Sequence, residues 1–198
     1  MNISLVLNSL GPKKRWQRWL LEGSLILVVI FGAQWWQTRG LPEGLAPPLE
    51  GIRIDGTRVS VPASTQSAGA VALHARDSAS RASDTARAPT LVAFWATWCP
   101  MCTAEEDNIV AVAREHRVVS VAMQSGDAAT VAKHLVERGL DLPALVDVDG
   151  RHAANWRVRG VPTHFVVDGA GNIRFRVVGY ATTWGLKVRL WWAETFPA

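Results

Sequence analysis

A chain of 198 residues and 21.6 kDa, 48% hydrophobic and 19% charged, holds one globular domain with additional segments and excludes a wholly disordered polymer. Two cysteines allow one bridge at most, which excludes a disulfide-stapled scaffold, a four-cysteine zinc site and a multi-cysteine iron–sulfur centre. The net charge of +4 is local: Lys13, Lys14, Arg15 and Arg18 cluster early, and from Gly23 onward 17 basic residues stand against 16 acidic ones, so no nucleic-acid footprint remains.

The first predicted element is an apolar helix. From Trp16 to Trp36 it rises about 30 Å, the hydrocarbon thickness of a bilayer. Trp16 and Trp19 stand at one end and Trp35 and Trp36 at the other, where indoles favour the two interfaces. Glu22 lies one turn from the edge, within reach of the headgroups. Residues 19–36 are therefore read as a single-pass anchor and residues 1–18 as its cytoplasmic flank, because positive charge stays inside. The core Leu25–Phe31 is short enough for a signal peptide. The following Gln34-Trp35-Trp36-Gln37 lacks a small-x-small cleavage site, which favours an uncleaved anchor. The rest of the chain is expected outside the cytoplasm, where disulfides persist.

Residues 37–61 read as an extended stem, rich in Pro and Gly at 40–48, followed by a hairpin over Ile52–Val61 that turns at Asp55-Gly56. Residues 62–89 are dominated by Ala, Ser, Thr and Arg and read as a mobile surface loop, with a transient helix near Ala68–Ala75. From residue 90 to 198 the pattern becomes that of an α/β domain. Strands are predicted at Leu91–Trp95, Arg117–Met123, Ala144–Val148, Thr163–Asp168 and Asn172–Val178. Helices are predicted at Met101–Arg114, Ala128–Arg138 with Gly139 as the stop, Arg151–Trp156 and Thr183–Glu194. Three strand–helix steps and a closing antiparallel pair, joined through Gly169-Ala170-Gly171, imply a sheet with helices on both faces.

The chemistry concentrates in Trp95-Ala-Thr-Trp-Cys99-Pro-Met-Cys102, between a strand end and a helix start. Cys99 would sit at the helix N-terminus, where unpaired N–H groups and the macrodipole favour a negative sulfur. Pro100 suits the first turn, and Cys102 lies one turn on, placed to attack a mixed disulfide at Cys99. This chemistry calls for one exposed and one sheltered thiol. Other readings of the pair are a zinc half-site needing distant ligands, copper(I) held by two thiolates, and a static disulfide. The Thr97–Cys99 spacing fits a peroxidatic cysteine poorly, and the Met-x-Cys-x-x-Cys pattern of small copper carriers is absent. His74, His116, His134 and His152 show no ligand spacing, and His164, facing away from Thr163 on its strand, reads as structural.

These residues, with Gly160-Val-Pro-Thr-His-Phe-Val-Val-Asp168 and Gly171-Asn172-Ile173, resemble the membrane-anchored thioredoxin-like family that includes the TlpA and ResA proteins and the thiol reductases of cytochrome c maturation. The tail Gly179–Trp192 further resembles the suppressor-of-copper-sensitivity protein D group. The resemblance implies a thioredoxin-like fold with a mixed central sheet, and a thiol–disulfide oxidoreductase at the periplasmic face of a bacterial inner membrane. Cys99 is then the nucleophile and Cys102 the resolving thiol. Pro162 is the cis proline facing them, Glu105 a proton relay, and Trp98, Pro100, Val161 and Thr163 the substrate-contacting surface. It implies no cofactor or metal beyond the Cys99–Cys102 pair, protein thiols and disulfides as substrates, a membrane electron donor of the DsbD or ScsB kind, and a part in copper tolerance. Two departures stand out: the inserted loop at 62–89, and Val161 where cytochrome-maturation members carry Glu. Pro100-Met101 alone does not set the redox direction; the resemblance favours the reducing direction, with a disulfide-forming oxidant on the same fold as the alternative.

Overall fold

The computed structural model describes residues 12–62 and 88–196. The chain divides into two compact units, residues 1–39 and 40–198. The first holds helix α1 (Pro12–Thr38), of which Trp19–Thr38 is long and apolar enough to cross a membrane. Its side chains Leu21, Leu25 and Val28 are exposed. The predicted loop at 62–89, with its transient helix, falls almost wholly outside the described residues, as does the start of the 1–18 flank.

The second unit is built on a mixed sheet. Its strands are β1 (Gly44–Leu45), β4 (Thr90–Trp95), β5 (Arg117–Met123), β6 (Ala144–Asp147), β7 (Thr163–Val167) and β8 (Asn172–Val178), in the order β1-β8-β7-β4-β5-β6. β4, β5 and β6 run parallel, while β7, β8 and β1 are antiparallel to their neighbours. The remaining strands, β2 (Leu49–Ile52) and β3 (Arg58–Val61), form a separate hairpin. The helices are α2 (Pro100–Ala113), α3 (Ala128–Arg138), α4 (Arg151–Asn155) and α5 (Thr183–Thr195).

β4 is a central strand flanked on both edges, and all six of its residues are buried, which is why Leu91–Trp95 reads as an uninterrupted apolar run. Alternation along the strands separates two cores. Leu91, Ala93, Trp95 and Val166 face a layer made by α2, α3 and α5, with Ile109, Leu135, Leu186 and Leu190 buried in it. Val92, Phe94, Phe165 and Val167 face the hairpin and α4, where Trp156 stacks edge-on against Phe165 at 4.9 Å. Helices thus cover both faces, but on the second the hairpin supplies Leu49, Val59 and Val61. α3 begins at the Asp127 cap and ends at Gly139 in the left-handed region (φ 64), as the sequence predicts. α5 starts on the Thr182 cap and buries Leu186, Leu190 and Ala193, leaving Trp184, Trp191 and Trp192 outward.

Two expectations are corrected here. The hairpin's first strand runs over Leu49–Ile52, upstream of the predicted start, because Arg53–Thr57 form the turn: Arg53 N–H donates to Thr57 O, and Asp55 accepts from Thr57. The supposed stem also begins the fold. Leu41 and Ala46 are buried, and Gly44–Leu45 pair with β8.

Candidate active site

β4 ends at Trp95, and the chain reaches α2 through Ala96–Cys99. Cys99 is the N-cap residue: its backbone is extended (φ −95, ψ 110), and its Sγ accepts the Cys102 N–H at 3.2 Å. Pro100 fills the first helical position, where no N–H is needed. The Cys99 thiol also donates to the Val161 carbonyl at 3.6 Å, and Val161–Pro162 is a cis peptide bond. The nucleophile expected from the sequence is therefore held between a helix N-terminus and the loop before β7.

Both cysteines are free thiols, and both are buried, Cys99 at 6% exposure and Cys102 at 1%. This corrects the expectation of one exposed and one sheltered sulfur; the Val161 carbonyl lies against the first sulfur as well. Burial pushes the Cys102 thiol far above the ordinary thiol range, and hydrogen bonding to Cys99 and the Glu105 charge push the same way.

The structure brings Cys99, Cys102, Val161 and Pro162 together. Trp98 is largely exposed and donates its Nε1–H to Gln124 O at 3.0 Å, and Pro100 and Met101 are exposed beside it. Thr163 is buried instead, and its hydroxyl donates to Gly160 O at 2.8 Å, so the backbone alone remains for contact there.

Glu105 lies one turn beyond Cys102 and is 2% exposed. Its Oε2 accepts the Ala181 N–H at 2.7 Å, and its Oε1 stands 2.8 Å from His164 Nε2. A cavity of about 10 Å³ is lined by Cys102, Glu105, Glu106 and His164 among apolar neighbours, which is room for about one water molecule. Glu106 has other partners: His134 Nε2 at 2.8 Å and Arg138 Nε at 2.9 Å, with the His134 ring lying tilted against Trp95.

Sequence reasoning placed Glu105 near Cys102 but missed its histidine. His164 does face away from Thr163, yet that face is the α2 side of the sheet, since His164 pairs with Ala93. The alternation that puts Ala93 and Trp95 under α2 carried this signal. Among the described residues, no group of three or more His, Cys, Asp or Glu side chains is arranged to hold a metal ion.

A mixed sheet with a cysteine pair at the C-terminal end of its central strand, opposite a cis proline, defines a thioredoxin-like protein. The sequence model of the AhpC/TSA family matches residues 65–176, more than half of the chain, and the chain belongs to that family. It is 38% identical over 109 residues to a thioredoxin-like protein of Haemophilus influenzae, covering 54% of this chain and 65% of that one. To the thiol:disulfide interchange protein DsbE of Allochromatium vinosum it is 36% identical over 110 residues, covering 54% and 58%. The chain thus spans between half and two thirds of the length of such relatives. The crystal structure of StoA from Bacillus subtilis shares the fold, with a TM-score of 0.55 at 18% identity over 73% of this chain and 98% of that one.

Proposed function

We propose that the chain is a membrane-tethered thiol–disulfide oxidoreductase that reduces disulfides of exported proteins. The Cys99 thiolate attacks a substrate disulfide, and one substrate sulfur leaves as a thiolate. Cys102 then loses its proton and attacks the Cys99 sulfur, and the second substrate sulfur leaves as the Cys99–Cys102 disulfide forms. Two electrons pass from the dithiol to the substrate. Glu105 takes the Cys102 proton, and the backbone of Val161, Pro162 and Thr163, with Trp98 and Pro100 on the rim, seats the substrate chain as an added strand.

The observation that carries this reading is the pair itself: Sγ of Cys99 capping α2 through the Cys102 N–H at 3.2 Å, with the Val161 carbonyl against it. Relatives named thiol:disulfide interchange proteins support it. The apolar Trp19–Thr38 supports export across the membrane, with the second unit on the periplasmic side of a bacterial inner membrane. The lack of a small-x-small site at Gln34–Gln37 favours retention of that segment as an anchor. A membrane donor of the DsbD or ScsB kind would restore the dithiol. The likeness to the suppressor-of-copper-sensitivity group makes thiols oxidised under copper stress the substrates to try first.

The test is turnover of insulin disulfides by the full chain in detergent micelles. Activity that survives a chelator, disappears in Cys99→Ser, and leaves Cys102→Ser trapped in mixed disulfides supports the proposal. Stoichiometric copper(I) retention without thiol exchange would replace it with a binding module.

A further inference from the structure

Glu105 is the proton relay that the family resemblance implies, and the structure sets a second titratable side chain against it. His164 is 1% exposed, its Nε2 stands 2.8 Å from Glu105 Oε1, and its Nδ1 has no hydrogen-bond partner among the described residues. The Nε2–Oε1 line is too bent for a good hydrogen bond, so Nε2 too lacks a well-aligned partner. The separation still requires a proton on one of the two atoms, because two bare lone pairs that close repel. With that proton on Nε2, Nδ1 presents a buried, bare lone pair. Such groups are uncommon in folded proteins and call for an explanation.

We infer that His164 and Glu105 act as one unit, and that the proton Cys102 sheds when it resolves the mixed disulfide comes to rest on this pair with His164 Nδ1 as its second site. This rests on the exchange reaction proposed above. Before resolution the pair carries one proton, on Nε2 beside the Glu105 carboxylate, and Cys102 carries its own. As Cys102 ionises, its proton passes through the cavity the three residues share, and the ring becomes an imidazolium paired with the Glu105 carboxylate. The net charge of the site is unchanged, and the new thiolate gains a cation close by rather than a neutral acid. Attack on Cys99 then consumes the thiolate, and the stored proton returns to Cys102 on re-reduction.

The surroundings single out this pair. On the neighbouring strands His164 faces Ala93 and Val177, which bear no charge. From α2 it meets Glu105 and, across the cavity, Glu106 and Cys102. Glu106 already has the permanently charged Arg138 and His134, both from α3, as partners. From the approach to α5, the Ala181 N–H donates to Glu105 Oε2. His164 acts through Glu105 and the cavity and does not touch substrate, so it is a positioning residue.

The test compares the full chain with His164→Gln in detergent micelles, following mixed-disulfide resolution from pH 5 to 9. His164→Gln should resolve about tenfold more slowly, less than the ~10² or more expected for losing a positioned acid–base group outright. It should also lose one ionisation from the pH profile, while attack by Cys99 in the Cys102→Ser background stays unchanged. A Glu105→Gln, His164→Gln double variant should be no slower than Glu105→Gln alone. A folded His164→Gln with the wild-type pH profile overturns the inference. If that variant does not fold, ¹⁵N spectra of the His164 ring in the wild type decide. A proton on Nδ1 in the oxidised protein that is absent from the reduced protein at the same pH supports the coupling, and the same Nδ1 protonation in both states overturns it. A wild type that exchanges no disulfides defeats the functional proposal; a working wild type with an unaltered variant defeats only the coupling.

Discussion

Burying the Cys102 thiol has a thermodynamic consequence that can be measured without any substrate. Its ordinary value is 9.0, and burial raises it far above that in the folded, reduced protein. For a group raised on folding, stability is fully present below the unfolded value and is lost as pH climbs toward the folded one. Between those limits the folded chain holds a proton that the unfolded chain has released, so the loss approaches about 1.4 kcal/mol per pH unit. Integrating from pH 9 to 10.5 against an unfolded value of 9.0 gives a loss on the order of 2 kcal/mol, provided the folded thiol stays protonated throughout. The assay is chemical denaturation of the chain in detergent with reductant, read by tryptophan fluorescence, for wild type and Cys102→Ala. Lysines and other groups titrate in both proteins, so the difference between the two curves isolates the thiol. That difference should fall with pH by roughly this amount. A flat or rising difference would mean that Cys102 is not held protonated by its burial, and the need for a proton acceptor beneath it would disappear.

Two structural predictions accompany this one. Trp156 is fully buried between Phe94 and Phe165, and its indole N–H has no hydrogen-bond partner among the described residues. Trp156→Ala should therefore cost about 3–5 kcal/mol in denaturation experiments, while Trp156→Phe, which removes the unpaired donor along with part of the ring, should cost clearly less. Gly171 has φ +89, and an added Cβ would meet Pro62 at 2.8 Å, so Gly171→Ala should lower stability by about 1 kcal/mol or more. A measured loss near zero would show that the β7–β8 turn and the Pro62 contact relax independently.

Legibility in the sequence tracks how local each cause is. β4 and α3 could be read because the evidence lies within each segment: an unbroken apolar run for one, and Asp127 and Gly139 at the ends of an amphipathic stretch for the other. The cysteine pair and Pro162 were legible for the same reason, each being a short motif. β1 was not, since two residues in a Pro- and Gly-rich stretch become a strand only where β8 offers an open edge. Likewise the turn at Arg53–Thr57 drew the hairpin upstream through a local Asp55 bond that competes with strand alternation. The Glu105–His164 contact lies furthest from local causes. The residues are 59 positions apart, and they meet because β7 pairs with β4 so that His164 opposes Ala93, on the face where α2 lies. A slip of one residue in that register would turn His164 toward the hairpin side and bring Thr163 or Phe165 beneath Glu105. Motifs placed the sulfurs, but strand register decides which side chain lies beside Glu105.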